Sequence, residues 1–515
     1  MIDHVLPLVE KSLRNFADDV AVRHDGTELT YAALDRSADA AAWQLKDAGV
    51  QPGDRVALLL GNTPDYLVFD LALLRAGATK VPLNPMLAGP ELCHIVEHSA
   101  STCLVTNAEL ADRIDRRKVD GLRGGTISVG SGLFRDAPVD GGAPVDGQRF
   151  PSSPAAPEDV AVIYYTGGTT GRPKGVVHTH ASVAANMLSH VIEGDIRRRE
   201  QMLVTTPLSH SAGLFSMAGL IMGATVTVHP GFRPEALRRE VRDGHATWTF
   251  LVPTMIYRLL DEIVGTGDRL AGLETIVYGA SPITPHRLAQ ALAGIDAGFI
   301  QLYGQTECPN FGTTLDKREH RRALTDDTLM SSCGKASTMA DVAIVVGREP
   351  AGPGEIGEVC LRSPYLMAWY LDDPEATAAA IVDGWLHTGD LGTMDHRGYV
   401  SLKDRRKDMI ISGGMNVYPA EVEATLQRLD GVAQVAIIGI PHDTWGESVC
   451  AFVVRQPGSD LDDRGVLDFA RTALATYKRP KDVRFLDALP LTAVGKVDKK
   501  ALRAPFWPAV GRQIG

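Results

Sequence analysis

Residues 164–175 of this chain read YYTGGTTGRPKG, between an apolar run and a stretch with helical periodicity. Four glycines in these twelve positions let the backbone approach an anion closely. The threonines supply hydroxyl donors and Lys174 supplies a positive charge, so the segment predicts a cradle for a polyphosphate. It is not a Walker A loop, because Pro173 precedes the lysine and Gly175 follows it. A strand–loop–helix arrangement is the expected setting for this cradle.

Short apolar runs alternate with helix-compatible segments on both sides of the cradle. Strands are predicted at 56–60, 160–165, 275–278 and 299–302, with helices between them. This alternation predicts an α/β fold with several layers and parallel-rich sheets.

The distribution of charge divides the chain near residue 404. The segment KDRRKD at 403–408 is highly charged, the chain before it is acidic, and the chain after it is close to neutral. We therefore expect a large α/β domain at 1–403 and a small α+β domain at 404–515. A second break at 136–157 is rich in Pro, Gly and Ala and repeats APVDG, which is typical of a surface loop.

Composition excludes several classes of protein. The 515 residues are 44% hydrophobic and 22% charged, as in ordinary globular proteins rather than disordered or fibrous ones. The net charge of −11 argues against a whole-chain nucleic-acid binder. No apolar run reaches the ~18–20 residues that cross a bilayer, and no secretory signal is expected at the N-terminus. Six scattered cysteines without a CxxC pair favour a reducing, cytoplasmic setting.

The glycine-rich segment resembles the signature of the adenylate-forming superfamily, which includes acyl-CoA synthetases, peptide-synthetase adenylation domains and firefly-type luciferases. The usual pattern is YTSGTTGxPKG. This chain carries Gly167 where serine is commonest, so that side-chain contact to phosphate is not expected. Four further motifs follow in the family's order: YGQTE at 303–307, TGD at 388–390, DRRKD with SGG at 404–414, and PLTAVGK at 490–496.

The resemblance implies a two-step ligase of the fatty-acid–CoA ligase type. A carboxylate attacks the α-phosphorus of ATP and expels pyrophosphate, and the thiol of coenzyme A then takes the acyl group. Mg²⁺ is the implied metal. The first step brings two anions together, so the protein must supply positive charge and accurate placement.

Alternatives stay open at this point. An acyl-AMP ligase that loads a carrier protein and an aryl-CoA ligase would share the same first step. A luciferase-like oxygenase is disfavoured but shares the motifs. A nucleotide-binding regulator without catalysis would have lost Lys496 or Glu307, and both are present.

The residue types within the motifs suit these roles. Tyr303 offers an aromatic face for adenine, and Asp390 has two acceptor oxygens for the ribose hydroxyls. Glu307 and Thr170 are the expected metal-site residues. Lys496 would bridge the acyl carboxylate and the α-phosphate. The implied catalytic set is Lys496, Thr170, Glu307 and Lys174. The implied nucleotide set is Thr166, Gly168, Thr169, Thr170, Gly171, Lys174, Gly279, Ala280, Ser281, Tyr303, Gly304, Thr306, Asp390, Arg405 and Lys496.

The acid is expected against the segment PLSHSAGL at 207–214. By resemblance His210 gates the acyl pocket, and no carboxylate stands nearby to hold the amino group of an amino acid. Small and apolar neighbours favour a fatty or other apolar acid. The further residues of this expected site are Ser211, Gly213, Leu214, Tyr278 and Gly279.

The resemblance also implies a moving small domain. Lys407 falls at the family's hinge. One orientation would insert Lys496 for adenylation, and the other would use Gly413 and Gly414 to line a tunnel for coenzyme A, where the lack of a Cβ suits a narrow passage.

Overall fold

The protein was analysed as a computed structural model that describes residues 3–130, 149–152, 155–166, 173–281, 283–405, 408–412, 415–442, 445–492 and 496–507. These residues form four sheets covered by helices, and the predicted α/β architecture is confirmed. Most of the expected surface loop at 136–157 lies outside the described ranges.

The first sheet has nine strands, and its centre is parallel. Its strands are β1 (Val20–His24), β2 (Thr27–Thr30), β9 (Gln201–Val204), β10 (Thr225–Val228), β11 (Trp248–Leu251), β12 (Thr275–Tyr278), β13 (Gly298–Gln305), β14 (Cys308–Leu315) and β15 (Lys335–Ala336). The order is β15-β14-β13-β12-β11-β9-β10-β1-β2, with antiparallel strands only at the two edges. The predicted strand at 275–278 is confirmed as β12.

The second sheet has seven strands and carries the ends of the glycine-rich segment. Its strands are β3 (Arg55–Leu59), β4 (Thr79–Pro82), β5 (Cys103–Asn107), β6 (Thr126–Val129), β7 (Val160–Thr166), β8 (Lys174–Thr179) and β19 (Trp369–Tyr370), in the order β19-β8-β7-β4-β3-β5-β6. The strand–loop–helix expectation was wrong, because β8 follows the segment directly and pairs antiparallel with β7. The sequence of β8, KGVVHT, has two adjacent valines, which favour a strand over a helix start.

The third sheet has six strands and is antiparallel throughout. Its strands are β16 (Asp341–Val346), β17 (Glu349–Pro350), β18 (Gly357–Arg362), β20 (Ile381–Val382), β21 (Trp385–Met394) and β22 (Val400–Arg405). Nothing in the pattern of apolar runs distinguished these antiparallel strands from the parallel ones.

The fourth sheet belongs to the C-terminal part of the chain. Its strands are β23 (Ile410–Ser412), β24 (Met415–Val417), β25 (Val432–His442), β26 (Gly446–Arg455) and β27 (Asp482–Phe485). Val422, Ile437, Ala451 and Val466 form part of a core of its own. The chain passes from the third sheet to the fourth between residues 405 and 410, so the expected division after residue 403 falls within β22.

Helices cover the sheets, and two of them begin after a threonine that caps the helix N-terminus. Thr30 accepts the Ala33 N–H and Thr179 accepts the Ser182 N–H, each as an N-cap. The helices are α1 (Val5–Asn15), α2 (Tyr31–Asp47), α3 (Pro64–Ala76), α4 (Gly89–His98), α5 (Ala108–Ala111), α6 (Arg116–Val119), α7 (His180–Glu193), α8 (Ser211–Ile221), α9 (Pro234–Arg242), α10 (Pro253–Ile263), α11 (Pro285–Gly294), α12 (Lys317–Ala323), α13 (Asp327–Met330), α14 (Pro374–Ala380), α15 (Pro419–Leu426), α16 (Asp463–Ala473) and α17 (Lys499–Arg503).

The largest core joins α1, α2, α3 and α8 to the first two sheets. Trp248, Phe215, Phe69 and Tyr31 are among its fully buried side chains. None of the helices in the described ranges has both the length and the apolar character of a membrane span. All six cysteines are unpaired, and five of them are buried.

Candidate active site

The glycine-rich segment is held at its two ends by paired strands. Thr166, the last residue of β7, lies opposite Lys174, the first residue of β8. The Lys174 Nζ lies 2.9 Å from an Asp373 carboxylate oxygen and 5.2 Å from the centre of the Tyr370 ring. Residues 167–172 of this segment lie outside the described ranges, among them the expected site residues Gly168, Thr169, Thr170 and Gly171.

Tyr303 and Asp390, which are far apart in the sequence, are hydrogen-bonded to each other. The Tyr303 hydroxyl donates to Asp390 Oδ2 over 2.8 Å, and Gln305 Nε2 donates to the same oxygen over 2.7 Å. Burial, and then the charge of Asp390, raise the pKa of Tyr303 well above its usual value. The Tyr303 phenol therefore remains a neutral donor. Together with Gln305 it fixes the orientation of the Asp390 carboxylate, which is the group expected to bind the ribose.

The turn that presents Asp390 is supported from the neighbouring strand. Gly389 has φ of +72°, a left-handed conformation that favours glycine, and its N–H donates to Glu358 Oε1 over 2.9 Å. The other Glu358 oxygen lies 3.0 Å from His387 Nδ1, and the Cys360 thiol lies 3.6 Å from that nitrogen. Within the described ranges these three side chains are the one group whose donor atoms come close enough to hold a metal. Both Glu358 oxygens already have partners, so we assign the group to support of the turn.

The backbones of Arg405 and Asp390 are adjacent. The two residues are directly opposite in the antiparallel pair of β21 and β22. The TGD and DRRKD motifs therefore meet at one place, as the expected nucleotide set requires. The Arg405 side chain lies outside the part of the structure that is described.

Glu307 follows β13 and is held by the segment after β18. Its Oε1 accepts a hydrogen bond of 2.6 Å from the Tyr370 hydroxyl, and its backbone carbonyl accepts one of 2.7 Å from the Met367 N–H. Among the described residues Glu307 Oε2 has no hydrogen-bond partner, which suits a carboxylate that binds a hard cation. The backbone carbonyl of Thr306, the preceding residue, accepts a hydrogen bond of 2.8 Å from His178 Nε2. Tyr370 was missed by the sequence analysis because no motif contains it.

The segment after β12 runs close to β13. A Cβ at Gly279 would lie 2.5 Å from Leu302 Cδ1 and 2.6 Å from the Leu302 carbonyl oxygen, so only glycine fits there. Ala280 is exposed with φ of +68°, and Ser281 is half-buried. Since Leu302 precedes Tyr303 and Gly304, the structure brings together the residues expected around adenine.

His210 stands at the start of α8, where the acid is expected. Its Nε2 lies 3.3 Å from Asn84 Nδ2, and the next residue, Ser211, donates to Asn310 Oδ1 over 2.8 Å. Gly213 and Leu214 follow in the first turn of α8 and are buried.

Behind Ser211 lies a buried hydrogen-bond chain that no motif indicated. Asn310, a left-handed residue with φ of +66°, donates to His190 Nε2 over 2.8 Å, and His190 Nδ1 donates to the Asn186 carbonyl over 2.7 Å. Burial lowers the pKa of His190 to about 4, so its ring is neutral at neutral pH. A single histidine in a helical segment gives no signal from which this chain could have been predicted.

Tyr278, which is expected in the acyl site, is the last residue of β12. Its side chain is fully buried, and its hydroxyl lies 2.9 Å from His320 Nε2 and 3.1 Å from Gln301 Oε1. Because side chains alternate along a strand, Tyr278 points to the opposite face of the sheet from Val277. In this arrangement it packs the sheet, and its contact with the acid stays a prediction.

Lys496 comes from the small C-terminal part of the chain and lies within electrostatic range of His210. Burial first, and then the positive charge of Lys496, lower the pKa of His210 to about 4. The backbone of Lys496 is held by Thr492, whose N–H donates to the Lys496 carbonyl over 2.7 Å. Lys407, Gly413 and Gly414 lie outside the described ranges.

Comparisons with known proteins identify the family of this chain. The chain matches the family described as AMP-binding enzyme over residues 9–371 and the AMP-binding enzyme C-terminal domain over residues 421–496. It is 38% identical to a feruloyl-CoA synthase from an Amycolatopsis species, over 94% of this chain and 96% of that protein. It is 35% identical to a medium/long-chain-fatty-acid–CoA ligase from Mycobacterium tuberculosis, over 91% of this chain and 84% of that protein.

A solved structure supports the same relationship. The amide bond synthetase McbA from Marinactinospora thermotolerans superposes with a TM-score of 0.87 and 29% identity, over 97% of this chain and 99% of that chain. The chain belongs to the AMP-binding enzyme family, and so to the adenylate-forming superfamily. Within that superfamily it is an AMP-forming acid–CoA ligase.

The proximity of Lys496 to His210 can be tested by histidine titration. In Lys496→Ala the pKa of His210 should rise from about 4 but stay below 6.5, because a positive neighbour is removed while burial remains. The measurement is the ¹³C-histidine NMR signal of His210 followed against pH. Lys500→Ala, which removes an exposed lysine nearby in sequence, is the control and should leave the pKa unchanged. Equal titration of the two variants would contradict the proximity.

Proposed function

We propose that this protein activates an apolar carboxylic acid, fatty or aryl, with ATP and Mg²⁺, and transfers the acyl group to coenzyme A with release of AMP and pyrophosphate. The observation that carries the proposal is the hydrogen bond between Tyr303 and Asp390, which brings two motifs of the expected nucleotide site together. The effect of the Lys496 charge on His210 supports an arrangement in which the C-terminal part of the chain supplies an ammonium group near the expected acyl site.

The nucleotide would lie between the glycine-rich segment and the TGD turn. The Asp390 carboxylate, oriented by Tyr303 and Gln305, would accept hydrogen bonds from the ribose hydroxyls. Arg405 lies across the strand pair from Asp390, and it would contribute a positive charge to the nucleotide site. The segment 279–281, which runs along β13, would cover the adenine.

The charge of the triphosphate would be balanced by side chains and by a metal. Lys174 stands at the exit of the glycine-rich segment, and Thr166 stands at its entry. Glu307, with Thr170, would hold Mg²⁺, and the open Oε2 of Glu307 fits that ion. When bound, Mg²⁺ would neutralise negative charge on the phosphate oxygens.

Lys496 and His210 would have different roles in binding the acid. The ammonium group would offset the repulsion between the acid's carboxylate and the α-phosphate, and it would stabilise the charge that builds up in the transition state. His210, neutral because its pKa is about 4, would contact the acid without adding a second charge. The apolar start of α8, with Gly213 and Leu214, favours an acid with an uncharged tail.

The second step would need the small domain to turn. We infer that the domains are 1–403 and 404–515, that rotation occurs at Lys407, and that Gly413 and Gly414 line the passage for coenzyme A. The change of sheet between 405 and 410 supports a pivot there. Six unpaired cysteines support a reducing compartment, the cytoplasm.

The function is tested by acid-dependent exchange of pyrophosphate into ATP. Aryl acids related to ferulate and medium or long fatty acids should promote exchange, whereas α-amino acids should not. The acceptor is then identified by product mass with coenzyme A, a phosphopantetheinyl carrier protein or an amine present. A thioester of coenzyme A is expected, and exclusive transfer to the carrier or to the amine would overturn the choice of acceptor.

Lys496→Ala separates the two steps. Adenylation should fall by about 10²- to 10³-fold, because a charge aimed at the transition state is lost. Thioester formation from supplied acyl-adenylate should be retained. Lys500→Ala should support both steps at the wild-type rate. A loss of equal size in both steps of Lys496→Ala would contradict the assigned role.

Asp390→Ala should act mainly on nucleotide binding. Each lost hydrogen bond to a charged group costs about 1.5–3 kcal/mol, so the Kd for ATP should rise by at least about 10-fold. Calorimetry with ATP in the absence of acid measures this directly. An unchanged affinity, in a variant whose thermal stability shows that it is folded, would remove Asp390 from the site.

A further inference from the structure

Residues 367–373, which we name the bridging segment, connect two parts of the expected phosphate site. On one side the Met367 N–H donates to the Glu307 carbonyl over 2.7 Å. On the other side the Ala368 N–H donates to the Val177 carbonyl and the Leu371 N–H to the Gly175 carbonyl, each over 2.8 Å. Strand β19 of this segment pairs with β8. The bridging segment therefore links the end of β13, in the first sheet, to the start of β8, in the second.

Tyr370 makes the same connection with its side chain. Its hydroxyl donates to Glu307 Oε1 over 2.6 Å, and its ring centre lies 5.2 Å from Lys174 Nζ. One side chain thus contacts both the expected metal-binding carboxylate and the expected phosphate-binding ammonium. Its ring is held in a cation–π contact, a geometry that stabilises a nearby positive charge.

The C-terminal end of the bridging segment is anchored independently of these contacts. The Tyr370 N–H donates to Thr377 Oγ1 over 2.9 Å. Asp373 caps α14 by accepting the Ala376 N–H at one oxygen, and its other oxygen pairs with Lys174 over 2.9 Å. The position of the tyrosine is therefore fixed by its own backbone and by the helix cap, and does not depend on a ligand.

We propose that Tyr370 is a positioning residue that sets the separation and orientation of Glu307 and Lys174 for the metal–nucleotide complex. Because the phenol occupies Oε1, Glu307 presents Oε2 to the cation. Because Asp373 balances Lys174, the ammonium group is held near the phosphate site before nucleotide arrives. This inference rests on the proposed function, since it assumes that ATP and Mg²⁺ bind between these groups.

A purely structural role for Tyr370 makes a different prediction. Replacement by phenylalanine keeps the ring, its contact with Lys174 and the backbone pairing, and it removes only the hydroxyl. If the hydroxyl served stability alone, Tyr370→Phe would lower the melting temperature and leave the metal dependence of ATP binding unchanged. If it orients Glu307, the metal dependence must change.

The experiment measures ATP affinity by calorimetry over a range of Mg²⁺ concentrations, without acid and therefore without turnover. Tyr370→Phe should raise the Mg²⁺ concentration that gives half of the maximal increase in ATP affinity by about 10-fold or more, as expected for loss of one charge-assisted hydrogen bond. Affinity for ATP without Mg²⁺ should stay within about 2-fold of wild type.

The chain offers a matched control. The Tyr399 hydroxyl donates to Glu319 Oε1 over 2.7 Å, which is the same kind of bond outside the proposed site. Tyr399→Phe should leave the Mg²⁺ dependence unchanged. A similar shift in both variants, or in neither, would overturn the positioning role.

A double-mutant cycle with Glu307→Gln tests this inference separately from the proposed function on which it rests. Glu307→Gln alone should weaken the Mg²⁺ dependence, and in its background Tyr370→Phe should add little. If Glu307→Gln leaves the Mg²⁺ dependence unchanged, the metal role of Glu307 in the proposed function is wrong. If Glu307→Gln changes it and Tyr370→Phe does not, only the role of Tyr370 is wrong.

Discussion

The electrostatic effect of Lys496 on the buried His210 is the interaction on which the proposed acid site depends. Lys496 lies near the C-terminal end of the sequence and His210 lies in its middle, so they interact only because folding brings the two segments towards each other. A protonated His210 would repel the lysine. Burial keeps the ring neutral, so one ammonium can approach the position where an anionic substrate is expected.

Much of the fold could be predicted because hydrophobic periodicity and β-branched runs are local signals. The strands at 160–165 and 275–278 follow from their own residues. The pairing of strands could not be predicted in the same way. The antiparallel return of β8 onto β7, and the separate third sheet, depend on contacts between distant segments that a single sequence does not reveal.

In the candidate site, residues within motifs could be predicted from the sequence, whereas residues that support them through distant contacts could not. Motif residues such as Asp390 and Tyr303 could be named from the sequence, and the structure brings those two into contact. The residues that hold the motif residues in place could not be named. Glu358 accepts the Gly389 N–H of the TGD turn, and Tyr370 donates to Glu307. Neither residue belongs to a motif, so the sequence gives no sign of these contacts. Tyr278 was named from its place next to a motif, and the structure shows it buried in the core of the sheet.

The hairpin formed by β7 and β8 has a consequence for how this protein attracts anions. Many phosphate loops lead straight into a helix, whose aligned peptide dipoles contribute about half a positive charge at its first turn. Here the chain leaves the glycine-rich segment as a strand, and α7 begins only at His180, beyond the far end of β8. That macrodipole is not directed at the loop. Attraction of the phosphates then relies more on side-chain charges such as Lys174, which pairing with a carboxylate such as Asp373 can adjust in a way that a fixed helix dipole does not allow.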